Sequence, residues 1–89
     1  MKLKRVTSVL NNIITLTWDA STDNVGVMEY DVEYTLTSDS SWSNSTVVTT
    51  PNLTYDFTLT PESYKFSVRA RDLAGNNSFY SSAVNATIV

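Results

Sequence analysis

Residues 29–34 read Glu-Tyr-Asp-Val-Glu-Tyr, charged and apolar side chains in strict alternation. Successive side chains of a strand point to opposite faces, so Tyr30, Val32 and Tyr34 share one face and Glu29, Asp31 and Glu33 the other. A helix would scatter both sets around its axis. The same period recurs along the chain. Ile14, Leu16 and Trp18 oppose Ile13, Thr15 and Thr17; Leu53, Tyr55, Phe57 and Leu59 form another face. Tyr64, Phe66, Val68 and Ala70 alternate with Lys65, Ser67, Arg69 and Arg71, and Val84, Ala86 and Ile88 end the series. Val47 and Val48 mark a shorter strand. No window sustains helical spacing. Polar, turn-forming stretches divide the strands: residues 19–24 with Gly26, residues 37–44 with Trp42 in their middle, Pro51-Asn52, residues 61–63 and residues 72–77.

About seven short strands, each with one apolar face, in a chain of 89 residues predict an all-β fold: a seven-stranded antiparallel β-sandwich. The length suits one domain over residues 1–89, with residues 1–5 read as a frayed end. Ser and Thr supply 25 positions and charged residues only 17%, a β-prone and folded composition.

Composition also narrows the chemistry. Cysteine and histidine are both absent, which removes disulfides, thiolate metal sites, cysteine nucleophiles and His-based general bases. Three of the six basic residues are Lys2, Lys4 and Arg5; beyond them three basic residues face nine acidic ones, a charge of −6. Such a surface repels phosphate backbones and anionic membranes, so neither nucleic acid nor membrane is an expected partner. The apolar run after Arg5, residues 6–10, is interrupted by Thr7 and Ser8 and is too short for a signal peptide. The chain therefore reads as a cytoplasmic domain or as a module cut from a longer protein.

The ordered features resemble a fibronectin type III domain. They are Ile14-Thr-Leu16-Thr-Trp18, Tyr30-Asp-Val32-Glu-Tyr34, Trp42, Tyr55-Asp-Phe57-Thr-Leu59-Thr-Pro61 and Tyr64-Lys-Phe66-Ser-Val68-Arg69-Ala70. The stretches beginning at Ala20 and at Arg71-Asp72 resemble the type III modules attached to secreted bacterial polysaccharide-degrading enzymes. The resemblance implies an immunoglobulin-like sandwich and a non-catalytic accessory or spacer module in a larger extracellular protein, without cofactor and monomeric. It implies neighbouring domains of the parent chain as partners. It also implies a tyrosine corner at Tyr64, although the connection from fifth to sixth strand is shorter here than in the family. Pairing of the third and sixth strands would set Glu29, Asp31 and Glu33 against Lys65, Arg69 and Arg71 as a solvated ladder of opposite charges.

Three candidate sites can be weighed against plainer roles. Asp19, Asp23 and Asp72, with Asn76, lie in loops expected at one end of the sandwich, and an oxygen-only cluster suits calcium. Asn24 and Tyr30, however, replace the Gly and Glu of a calcium loop, so loop capping and an Asp23–Arg71 contact are the simpler reading. Trp42, Phe79 and Tyr80 fall outside the core pattern and could stack on a polysaccharide or serve a protein ligand, with the loops at 19–27 and 72–80 as the alternative binding surface. Packing over the edge of the sandwich is the plainer role. Glu29 and Glu33 are too far apart along one strand face for paired-carboxylate glycoside hydrolysis. Asp31 lies between them, but all three are expected to face solvent, with no apolar pocket to raise a pKa.

Overall fold

The computed structural model describes residues 3–19, 27–72, 75–78 and 80–89. Within them lie seven strands: β1 (Leu3–Leu10), β2 (Ile13–Trp18), β3 (Val27–Leu36), β4 (Thr46–Thr50), β5 (Thr54–Thr58), β6 (Ser63–Asp72) and β7 (Val84–Thr87). They form two antiparallel sheets, one in the order β1-β2-β5 and one in the order β4-β3-β6-β7. The sandwich that period-two alternation predicts is the fold observed.

The two sheets meet over their apolar faces. Ile14, Leu16 and Trp18 come from β2, and Tyr30, Val32, Tyr64, Phe66, Val68 and Ala70 from β3 and β6; all are buried. Phe57 closes the layer from β5, with Ala86 and Ile88 from the C-terminal strand and its continuation. The rings meet as tilted and edge-on pairs: Phe57 lies 4.9 Å from Tyr34 and 5.1 Å from Phe66, and Trp18 lies 5.9 Å from Tyr30. Each such pair adds about 0.5–1.5 kcal/mol to the area it buries.

Two expectations are corrected. Leu53, placed by alternation beside Tyr55 and Phe57, is 40% exposed, because β5 begins only at Thr54. Leu53 belongs to the preceding turn, where its carbonyl accepts the Trp18 N–H at 3.0 Å. The frayed end expected over residues 1–5 gives way at Leu3, which pairs with Trp18, while Arg5 pairs with Thr17. The open edge of β2 supplies backbone partners that a free end would lack. Residues 1–2 lie outside the described set.

Tyr64 does close a tyrosine corner. Its hydroxyl donates to the Thr60 carbonyl at 2.8 Å, so the short connection between β5 and β6 still brings donor to acceptor. Strand polarity then sets the two ends of the molecule. β1 starts opposite Trp18, and β7 ends opposite Ser63, at the other end of β6. The overall extents are 40 × 26 × 17 Å.

Candidate functional site

The outward face of the four-stranded sheet carries most of the charged side chains of β3 and β6. Register brings Glu29 opposite Arg71 and Asp31 opposite Arg69. Arg71 donates to Glu29 Oε1 at 3.0 Å and to both oxygens of Asp31 at 3.0 and 2.8 Å. Arg69 Nε adds a bond to Asp31 Oδ2 at 2.9 Å, and the Thr49 hydroxyl, from β4, donates to Oδ1 at 2.8 Å. That half of the expected ladder is present.

The other half is not. Glu33 stands opposite Ser67, and Lys65 opposite Thr35, so these two charges are offset by two residues along the strands. Glu33 instead accepts the Ser45 hydroxyl at 2.5 Å, and the Lys65 ammonium lies over the Trp42 ring, 4.6 Å from its centroid.

Asp31 is also not the solvent-facing carboxylate that alternation suggests. It has no exposed surface, because the side chains of Arg69, Arg71 and Thr49 fold over it. Burial alone would raise its pKa. The hydrogen bonds from Thr49, Arg69 and Arg71, with the Arg71 charge, outweigh that and hold the carboxyl below its ordinary range. A carboxyl kept ionised in this way cannot serve as the general acid of glycoside hydrolysis, which needs a raised pKa. The same contact raises the Arg71 guanidinium, through its hydrogen bond to Asp31 first and the two charges next.

Trp42 reaches this face from the β3–β4 connection. Sequence reasoning passes over the residue that puts it there, Asp39. The Asp39 carboxylate accepts the Thr35 hydroxyl at 2.9 Å, the Asn44 N–H at 2.9 Å and the Ser43 N–H at 3.2 Å. Those bonds, led by the one from Asn44, hold its pKa down against partial burial. Within this knot Trp42 takes φ = 59°, a left-handed conformation that a bulky residue rarely adopts. An Asp among Ser and Asn residues is the signal available in the sequence, since such side chains bond to nearby backbone N–H groups.

Tyr80 comes from the segment after β6. The Arg69 guanidinium lies over its ring, 4.8 Å from the centroid. Burial raises the Tyr80 phenol, Arg69 pulls it back, and the charges of Glu33 and Asp31 add to the rise. Trp42 and Tyr80, scattered in sequence, line one depression of about 250 Å³ with Glu33, Ser67, Ser81 and Ala83. A larger hollow of about 390 Å³ runs from Tyr34 and Tyr64 beneath the Asp39 knot.

The remaining predicted residues fall elsewhere. Phe79 and Asp23, with its proposed contact to Arg71, lie outside the described residues, as does most of the 19–27 loop. Asp72 is buried, and its carboxylate accepts the Asn76 N–H at 2.9 Å and the Asn76 side-chain amide at 3.4 Å. It acts as a loop cap. Gly75, at φ = 85°, makes the turn that this cap closes. Asp19 is exposed. Among the described residues no three acidic side chains gather where they could hold a metal ion.

No family model matches the chain. It is 44% identical over 79 residues to Chitinase A1 of Niallia circulans, a match covering 89% of this chain and 10% of that protein. To Exoglucanase B of Cellulomonas fimi it is 42% identical over 81 residues, covering 85% of this chain and 7% of that protein. The chain thus spans about a tenth of the length of these relatives. Among solved structures, the sixth fibronectin type III domain of human fibronectin type III domain containing protein 3 superposes with a TM-score of 0.75. That match has 22% identity and covers 98% of this chain and 81% of that one. The chain is a fibronectin type III fold whose sequence matches one short segment within much larger bacterial chitinases and an exoglucanase.

Proposed function

We propose that the chain is a non-catalytic accessory module of a secreted bacterial polysaccharide-degrading enzyme, working as a stiff spacer between neighbouring domains. The observation that carries this reading is strand polarity. β1 enters at the Trp18 end and β7 leaves at the Ser63 end, along a body 40 Å in its longest dimension. A module entered at one end and left at the other sets its neighbours apart by its own length. The relatives support the setting, since they are named as chitinases and an exoglucanase and the match takes up 7–14% of each. The buried, ionised Asp31 supports the lack of chemistry, because its bonds go to fixing strand register.

Deleting the module from its parent chain tests the reading. Activity on an insoluble polysaccharide falls, while activity on a soluble oligosaccharide of the same linkage stays constant. Equal activity of the deleted and complete proteins on the insoluble polymer would sink the spacer role.

A further inference from the structure

We propose that the depression between Trp42 and Tyr80 is a subsite for one neutral pyranose unit of a glycan chain. Two aromatic rings line a space of about 250 Å³, room for one sugar ring and not for a chain. Ser67 and Ser81 line it as well. The Ser67 hydroxyl donates to the Ser81 carbonyl at 2.5 Å, and the Ser81 hydroxyl accepts the Val68 N–H at 3.1 Å; its proton faces the Ser67 oxygen at 3.5 Å, a long contact that a ligand oxygen can replace. Glu33 Oε2 is occupied by Ser45, and no hydrogen bond reaches its other oxygen among the described residues. The wall therefore offers what a pyranose needs: aromatic surface for its C–H face, with a hydroxyl donor and a carboxylate acceptor for its own hydroxyls.

Charges of both signs border the depression: Lys65 over Trp42 and Arg69 over Tyr80, with Glu33 in the lining. A ligand of either charge therefore meets repulsion along with attraction, and a neutral ligand meets no repulsion. Preorganisation favours the site too, since the Asp39 bonds fix the backbone that carries Trp42. With a single subsite the affinity is weak, on the order of 1 mM.

The choice of probes rests on the polysaccharide reading above; the subsite itself does not. The 89-residue chain is titrated with chitotetraose and cellotetraose to about 20 mM and followed by amide and indole N–H chemical shifts. Expected are saturating shifts at the Trp42 indole, Ser67, Tyr80 and Ser81 with at least one of the two. Trp42→Ala and Tyr80→Ala each weaken binding by about 10-fold or more. Tyr80→Ala leaves the Asp39 knot untouched, so it decides the matter should Trp42→Ala fail to fold. The cationic glucosamine tetramer and anionic tetragalacturonate bind at least about 10-fold more weakly than the better neutral probe. No shift with either neutral probe, shifts confined to the loops at either end, unchanged binding by Tyr80→Ala, or equal binding of a charged tetramer each overturns the subsite. Absence of shifts, together with a surviving effect of module deletion on insoluble substrate, removes the subsite and leaves the spacer role standing.

Discussion

Asp31 binds two guanidinium groups while exposing no surface of its own, and its removal affects more than one contact. Asp31→Ala leaves Arg69 and Arg71 with like charges side by side and the Thr49 hydroxyl without its acceptor. Both arginines keep about a third of their side-chain surface in water, so they recover part of their solvation. The expected loss is about 2–3 kcal/mol, below the cost of stranding a wholly buried charge. Glu29→Ala, which removes a partly exposed partner of Arg71, costs about 0.5 kcal/mol. Urea denaturation with an unchanged m-value checks both. The lowered pKa values of Asp31 and Asp39 also fix the acid response. In acid the unfolded chain binds more protons at these two groups than the folded one. Their contribution is therefore complete above the ordinary carboxylate value of about 3.9 and is lost as pH falls through the lower folded values. Melting temperature should hold level from about pH 7 to pH 5 and drop below about pH 4, with a smaller drop in Asp31→Asn. An equal drop in that variant would show that other carboxylates dominate.

Among the elements, the β1–β2 hairpin shows most directly how a turn sets register. Leu10 pairs with Ile13, leaving Asn11 and Asn12 as a two-residue loop with φ of 51° and 67°. Positive φ at both central positions is the turn whose twist matches that of paired strands, and Asn tolerates it better than other side chains. Glycine tolerates it better still. Asn12→Gly should raise stability by about 0.5 kcal/mol, read as a higher urea midpoint, while keeping the Asn12 carbonyl that accepts the Leu59 N–H. Tyr64→Phe should cost about 1 kcal/mol by removing the corner hydrogen bond to Thr60. Strand faces are legible from alternation because period two is a local property, and the core from Ile14 to Ile88 follows it closely. Asp31 is misjudged because alternation assigns a face without saying which long side chains fold across it. The meeting of Trp42 and Tyr80 is invisible for a related reason. It depends on the Asp39 knot and on a chain path past β6 that brings residues 42 and 80 to the same stretch of sheet. Strand ends such as Leu53 and Leu3 are settled by which backbone groups find partners, again a matter of tertiary pairing.

For the whole molecule, the spacer reading makes a claim about stiffness that is separable from length. A Gly/Ser chain covers a root-mean-square distance of about 5–6 Å times the square root of its residue number, so about 50 residues match the 40 Å extent of this domain. The two connectors share a mean span and differ in its spread. The flexible chain samples short and long separations alike, whereas two packed sheets hold one. If a held distance is what neighbouring domains use, replacing the module with such a linker should lower product release from insoluble polymer by roughly 2- to 5-fold. Turnover of a soluble oligosaccharide, which needs no second domain in register with a surface, should stay unchanged. Full retention of activity on the insoluble polymer would mean that reach alone matters, and the β-sandwich would then need another reason to be there. The subsite between Trp42 and Tyr80 separates the two cases further, because a linker lacking both rings but preceded by an intact module restores glycan contact without restoring the fixed span. Activity recovered in that arrangement would assign the benefit to binding; activity still lost would assign it to geometry.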